Sequence, residues 1–132
     1  MKRIIYIAIA ALSITACGYN VDEVLLSRDD ISMTIKGELI MSFDENTCQF
    51  GYNSARQEYR VYDEQFTNWY ILQCSAQPTS QGQEITADIE YTKNGKTKKM
   101  KNISFKVEKI SSEGVIWLWG SDEKIGIIIK QI

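Results

Sequence analysis

Strict alternation of apolar and polar residues is the feature that most restricts how this 132-residue chain can fold. Between residues 31 and 43 every odd position carries an apolar residue or glycine, and the even positions are polar apart from Ile40. The same period of two returns at residues 48–52, 59–61 and 70–76. A period of two belongs to a β-strand, whereas an amphipathic helix requires a period of about 3.6. No segment after residue 30 keeps a helical period, so the sequence predicts strands.

The spacing of these runs predicts an all-β domain for residues 31–132. Short polar turns separate the runs, and Pro78 is the only proline. We therefore expect a single antiparallel domain of seven or eight strands in a meander-like order, either a small barrel or a β-sandwich. The first run is expected to be one half-buried strand, or two strands bent at Gly37.

The dipeptide Asn94-Gly95 predicts one hairpin in detail. It favours a type I′ turn, in which both central residues adopt positive φ. This turn gives three facing pairs: Glu90 with Lys99, Asp88 with Lys101, and Ile89 with Met100. Opposite charges then meet on one face and apolar groups on the other. Because the apolar phase shifts by one residue further on, we also expect a β-bulge near residues 101–102.

Four lysines surround this turn, and they allow two interpretations. They are Lys93, Lys96, Lys98 and Lys99. Near an anionic surface, such as lipid head groups or an acidic glycan, each is worth about 1 kcal/mol. Lysines also solvate a projecting hairpin and keep strand edges from pairing with other chains. A charge run on a hairpin rim favours the second interpretation.

The segment VIWLWGSDEKIGIII (115–129) predicts a second hairpin, whose register decides the role of two tryptophans. An even loop places Trp117 opposite Gly126 and Trp119 beside Lys124, on a half-polar face open to a sugar ring or another flat ligand. An odd loop aligns both indoles with isoleucines and buries them. Tryptophan is seldom fully exposed, so core packing is favoured over a ligand site at Trp117, Trp119 and Lys124.

The residue types present restrict the chemistry of the chain. It contains no histidine, which excludes Ser-His-Asp and Cys-His nucleophile pairs and His-ligated zinc. Acidic pairs at 44–45, 63–64 and 122–123 fall in predicted turns. Adjacent strand residues point to opposite faces, so none of these pairs forms a catalytic dyad by itself. With no Gly-rich phosphate loop or metal-ligand cluster in the sequence either, we expect no enzyme, no cofactor and no metal site.

The N-terminal residues are typical of an export signal. Lys2-Arg3 precedes an uncharged apolar run at residues 4–14, which is too short to cross a bilayer as a helix. The next residues, Ile14-Thr15-Ala16-Cys17, resemble the lipobox of bacterial lipoproteins. The resemblance implies that signal peptidase II removes residues 1–16, that Cys17 is acylated, and that the lipid anchors the chain to a membrane of the bacterial cell envelope. Gly18 supplies no Asp-type retention signal, which favours the outer membrane.

Export also affects how the rest of the chain is interpreted. Residues 17–30 are expected to be a tether, with a short helix capped by Asn20 as one alternative. In an oxidising compartment, Cys48 and Cys74 are expected to form a disulfide, with two unpaired buried thiols as the alternative. The mature part carries 13 basic and 17 acidic residues, a formal charge of −4, so no nucleic-acid partner is expected.

These features favour a non-catalytic binding or interaction module of the cell envelope, with a glycan or a protein as its partner. The alternative is a periplasmic inhibitor or immunity-type protein that plugs a partner enzyme. The stretch NSARQEYRVYDEQF (53–66) loosely resembles the early hairpin of small lipid-anchored lysozyme inhibitors. The chain lacks the Ser-Gly-rich inhibitory loop of those proteins, so no site residues are carried over from them.

Overall fold

The computed structural model describes residues 21–131, and in that part it contains one short helix and nine strands. The helix α1 spans Glu23–Leu26, and its N-cap is Asp22. The strands are β1 Ser32–Ile35, β2 Glu38–Ser42, β3 Gln49–Asn53, β4 Glu58–Tyr62, β5 Trp69–Cys74, β6 Glu84–Lys93, β7 Lys96–Ile110, β8 Val115–Gly120 and β9 Ile125–Lys130. The expected signal peptide, the acylation site Cys17 and the expected cap Asn20 lie outside the described residues. Within residues 21–131, no helix has the length and hydrophobicity needed to cross a bilayer.

All nine strands form one antiparallel sheet with the order β2-β1-β9-β8-β7-β6-β5-β4-β3. Strands β3 to β9 are neighbours in chain order, which confirms the meander-like arrangement, and the β1–β2 hairpin is added beside β9. The sheet curves into a half-barrel with β2 and β3 at its edges. The all-β prediction is therefore confirmed, while the expected count of seven or eight strands is too low.

The additional strand comes from the first alternating run, which reverses direction completely. Lys36 and Gly37 have φ values of 51° and 82°, the combination that a tight hairpin turn between twisted strands requires. A register shift in the β1–β2 ladder then sets Met33 opposite Met41, and both side chains reach the core. Leu39, close to the turn, remains 38% exposed.

The concave face of the half-barrel holds the main core. It collects one phase of every strand, including positions that the alternation predicts: Ile31, Met33, Met41, Phe43, Tyr59, Val61, Tyr70, Leu72 and Cys74. The hydroxyl of Tyr70 donates a hydrogen bond to the backbone oxygen of Ile128 at 3.2 Å, which joins β5 to β9 across the interior. The ring of Phe43 meets that of Tyr70 edge to face. The interior is therefore packed with side chains.

The β6–β7 hairpin confirms most of the predicted register. Asn94 and Gly95 have φ values of 53° and 79°, and the pairs Glu90–Lys99 and Ile89–Met100 form as expected. The pairing of Asp88 with Lys101 does not form, because the register shifts between Ala87 and Ile89. At this bulge Asn102 has a φ of 56°, and its backbone N–H donates to Asp88 Oδ1 at 2.9 Å.

The β8–β9 hairpin adopts neither of the two expected registers. Trp117 pairs with Ile128 and Trp119 pairs with Gly126, around a four-residue loop at 121–124. This register places both indoles on the outer face of the sheet, away from the main core. They are nevertheless buried, at 4% and 3% exposure, because α1 covers them.

A second, smaller core therefore lies on the outer face beneath α1. It contains Leu25, Val115, Trp117, Trp119 and Ile128, with Val21 packed against it. Leu25 sits directly over Gly126, where an added Cβ would lie 2.8 Å from Cδ1 of Leu25. The absence of a side chain at Gly126 is what allows the helix to approach the sheet this closely.

The expected disulfide does not form. Cys48 and Cys74 are both free thiols, the first partly exposed and the second buried. Cys48 precedes Gln49, which pairs with Tyr62 and through it with Trp69 at the start of β5. Cys74 is five residues further along β5, roughly 17 Å away in the strand direction. A disulfide requires Cα atoms within about 7 Å, so the topology itself keeps the two cysteines apart.

Candidate functional site

The two tryptophans of β8 have different polar environments. The indole N–H of Trp117 donates to the backbone oxygen of Arg28 at 2.8 Å, and Nζ of Lys109 lies 4.6 Å from the ring centroid. The indole nitrogen of Trp119 is buried, and the described residues offer it no hydrogen-bond partner. An unpaired buried donor costs about 1–3 kcal/mol. The packing around Trp119 therefore leaves one polar atom unsatisfied, whereas the polar atom of Trp117 is satisfied.

Trp119 also lines a groove of about 580 Å³ on the outer face. The groove crosses β6, β7 and β8. The alternation of β6 and β7 sends polar side chains to this face and apolar ones to the core, and β8 contributes Trp119. Its lining is Ser75, Glu84, Ile85, Thr86, Ser104, Phe105, Lys106, Trp119 and Ser121. Glu84 and Lys106 are paired across β6 and β7, so opposite charges share one wall of the groove.

The chemistry of this groove suits a polyhydroxylated ligand. The hydroxyls of Ser75, Thr86, Ser104 and Ser121 can each donate and accept a hydrogen bond, and the carboxylate of Glu84 accepts. Glycoside hydrolysis usually requires two carboxyl groups flanking the bond that breaks, and Glu84 is the only carboxyl residue in the lining. The lining alone therefore supplies one of the two carboxyl groups of that mechanism.

The structure separates the residues of the ligand site expected from the sequence. Trp119 lines the groove, Trp117 is held by Arg28 on a different part of the outer face, and Lys124 is exposed in the β8–β9 loop. Lys124 has a φ of 55°, and its backbone oxygen accepts a hydrogen bond from the N–H of Lys36. The buried indoles do not form an open stacking surface, and Trp119 reaches the groove only from its edge.

The lysine turn lies beside a cluster of aromatic side chains. The ring of Tyr62 lies 5.3 Å from that of Phe66 and 5.7 Å from that of Trp69. The lysines are on the neighbouring β6–β7 turn. The backbone N–H of Asn94 in this turn donates a hydrogen bond to Oδ1 of Asn68 at 3.1 Å, which joins the turn to the aromatic cluster. We call this region the aromatic–lysine end, defined as Tyr62, Phe66 and Trp69 together with Lys93, Lys96 and Lys98.

Asp63 organises the loop that carries Phe66. Its carboxylate accepts hydrogen bonds from the backbone N–H and hydroxyl of Thr67, both at 2.7 Å, and from the N–H of Asn68 at 3.1 Å. Partial desolvation opposes ionisation, but these hydrogen bonds lower the pKa of Asp63 below its ordinary value. The loop holds Phe66 at a φ of 58°, an unfavourable conformation for a bulky residue, with the ring 54% exposed.

Sequence reasoning did not identify the groove or the aromatic cluster. Most polar residues of the groove lie in the polar phase of strands whose apolar phase was predicted to face the core. The alternation therefore predicted which face they occupy, but no sequence motif indicated that they bind a ligand. The aromatic cluster has a local signal: Trp69 is a large aromatic in the phase of β5 opposite to the core phase, and two further aromatics lie within seven residues before it. A large aromatic out of phase indicates a surface use or a covered outer face.

The remaining titratable groups do not form a reactive constellation. Burial raises the pKa of Glu108 to about 7, at the register shift between β7 and β8, and raises that of Cys74 to about 12. The predicted acidic pairs lie in turns, as expected. Among residues 21–131, no group of three or more His, Cys, Asp or Glu side chains is placed to hold a metal ion.

Comparisons with protein families, with curated proteins and with solved structures find no match to this chain.

Proposed function

We propose that this protein is a lipid-anchored lipoprotein of the bacterial cell envelope that binds a glycan without cleaving it. The observation that carries the proposal is the outer-face groove, which brings four hydroxyl residues and one carboxylate to one place beside the edge of the Trp119 ring. Sugar hydroxyls are both donors and acceptors, so they match a lining of this mixed character. Oligosaccharide is therefore the ligand class we assign to the groove.

The anchoring part of the proposal rests on the N-terminal sequence. The lipobox-like residues Ile14-Thr15-Ala16-Cys17 follow a short apolar run, and Gly18 favours the outer membrane. More than one acyl chain is required for firm anchoring, which the lipoprotein class supplies at its modified cysteine. An anchored module with an outward-facing polar groove is suited to hold or sense envelope glycans.

Two measurements test anchoring. Cells expressing the chain are labelled with palmitate, and the mature N-terminus is analysed by mass spectrometry. We expect label on the native chain and none on Cys17→Ser, with a mature chain that begins at a diacylglyceryl cysteine. An unmodified native N-terminus beginning at another residue would refute the anchor.

Glycan binding is tested by isothermal titration with soluble N-acetylglucosamine oligomers and with lipopolysaccharide core oligosaccharide. Thr86→Tyr places a ring in the groove and is expected to abolish saturable binding. Gln73→Tyr is the matched control, because Gln73 is exposed on the neighbouring strand β5 and does not line the groove. Binding that survives Thr86→Tyr, or that both variants reduce equally, would show that the groove is not the glycan site.

A further inference from the structure

The aromatic–lysine end combines two kinds of side chain that favour the surface of a bilayer. Phe66 is 54% exposed, the largest exposed fraction among the big apolar residues that the structure describes, and Tyr62 and Trp69 are partly exposed beside it. Tyrosine and tryptophan rings suit the head-group level, where one part of the ring contacts apolar groups and its polar atom contacts water. The strained φ of Phe66 indicates that the loop is built to hold this ring outward.

The charges at this end favour an anionic surface. Lys93, Lys96 and Lys98 lie on the projecting turn, and none of them forms an ion pair within the described residues. Lys99 faces Glu90 across the hairpin. Of the acids in the adjoining loop, Asp63 is already engaged in the hydrogen bonds that order it, and Glu64 remains exposed. Both acids keep their negative charge, so the three lysines leave a net charge of +1 (three minus two) at this end of the sheet.

The direction of the N-terminal segment places this end toward the membrane. Ser32 pairs with Ile128, whereas Leu25 lies over Gly126, so the chain followed backwards runs toward the β8–β9 loop. The lysine turn projects in the same direction: β7 pairs with β8 only from Lys106 onward, which leaves roughly 30 Å of hairpin beyond that point.

The length of the tether limits how far the domain can sit from the bilayer. Three residues lie between Cys17 and Val21, so four residue-to-residue steps give a reach of at most about 14 Å. The β6–β7 hairpin projects further than the tether can reach. The lipid anchor and the hairpin tip can therefore both lie at the membrane surface only when the strands lean over the bilayer. A leaning domain brings the β4–β5 loop and the β6–β7 turn to the head groups together, because both lie at one end of the sheet.

We propose that the aromatic–lysine end is a second membrane contact, which inserts Phe66 and Trp69 among the head groups of an anionic bilayer. This inference rests on the proposed acylation of Cys17 for its orientation. Two attachment points fix the tilt of the domain, so the outer-face groove keeps a defined direction relative to the membrane.

The test uses the chain purified from bacterial membranes in detergent and reconstituted into vesicles of brominated lipid. Trp117 and Trp119 are buried, so Trp69 is the indole that the lipid can quench. We expect quenching in phosphatidylcholine vesicles that contain 30% phosphatidylglycerol, and its loss in Trp69→Phe. Combined Lys93→Gln, Lys96→Gln and Lys98→Gln is expected to reduce the quenched population roughly 10- to 100-fold. Phe66→Ser is expected to reduce it as well.

Two control variants distinguish this contact from general effects. Leu26→Ser removes another exposed apolar residue, and Lys109→Gln with Lys130→Gln removes lysines from the opposite end of the sheet; neither is expected to alter quenching. A chain that floats with the vesicles while Trp69 stays unquenched overturns this inference and leaves the anchor intact. A chain that does not float with the vesicles refutes the anchor. In that case, quenching of Trp69 by anionic vesicles still supports the contact. An absence of quenching overturns it.

Discussion

Replacing Gly126 by alanine is expected to destabilise the protein by forcing α1 away from the sheet. The new Cβ would lie 2.5 Å from Oγ1 of Thr34 and 2.8 Å and 3.0 Å from the two Cδ atoms of Leu25. Non-bonded carbon atoms prefer about 3.5–4.0 Å, so at least one neighbour must move by roughly 1 Å. Thr34 and Leu25 are both fully buried and have no free space to move into. Overpacking of this kind costs about 1–3 kcal/mol.

Urea unfolding followed by tryptophan fluorescence measures this cost. With a slope of about 1–3 kcal/mol per molar urea, a loss of 2 kcal/mol lowers the midpoint by about 1 M. Gly51→Ala is the matched control, because an added Cβ at Gly51 has nothing within 4 Å. Its effect should remain within about 0.5 kcal/mol. Acrylamide should also quench Gly126→Ala more strongly than the native chain, as Trp119 becomes exposed.

A double-mutant cycle with Leu25→Ala identifies the helix as the element that is displaced. Leu25→Ala alone should cost about 2–5 kcal/mol, since Leu25 is fully buried. It also removes two of the three close contacts, so Gly126→Ala should cost about 1 kcal/mol less in that background. Equal costs in both backgrounds, or a native background in which Gly126→Ala is as harmless as Gly51→Ala, would refute the packing of α1 on Gly126.

Three further predictions follow from individual side chains. Asn102→Ala should cost about 1 kcal/mol in urea unfolding, because alanine disfavours the φ of 56° at the bulge, whereas Asn102→Gly should cost less. Cys48 and Cys74 should both react with a thiol reagent in denaturant without reductant, and Cys48 should react first in the native state, because burial raises the pKa of Cys74 to about 12; an absence of thiols would indicate a bridge. Burial raises the pKa of Glu108 from 4.5 to about 7, so its contribution to stability is complete below about pH 4.5 and is lost as the pH rises through 7. Glu108→Gln should remove that fall, and an unchanged pH profile of the unfolding free energy would contradict this assignment.

Local signals were enough to predict the β6–β7 hairpin. Its turn type, the pairs on either side of it and the bulge near residues 101–102 all depend on residues within one hairpin. The core positions of the concave face followed from the alternation in the same way. Only the facing pair at Asp88 was wrong. The bulge places both Lys101 and Asn102 opposite Asp88, so Asp88 has no single facing partner.

Features that depend on distant segments were not predictable from a local pattern. The expected export implies an oxidising compartment, which favours a disulfide between Cys48 and Cys74. The distance between the two cysteines, however, is set by the order of three strands. For Trp117 and Trp119, burial was expected from an apolar partner strand, whereas a four-residue helix nearly a hundred positions earlier provides it. No alternation within β8 and β9 can reveal a cover that comes from outside the hairpin.

The position of α1 has a consequence for ligand binding. A helix of four residues is only about 6 Å long, so it covers the tryptophan pair and leaves the polar groove open beside it. Trp119 belongs both to the cluster under α1 and to the lining of the groove. A ligand bound in the groove should therefore stabilise the fold by RT ln(1 + [L]/Kd). Conversely, Leu25→Ala should weaken glycan binding although Leu25 does not line the groove, because it loosens the packing that holds Trp119 in place.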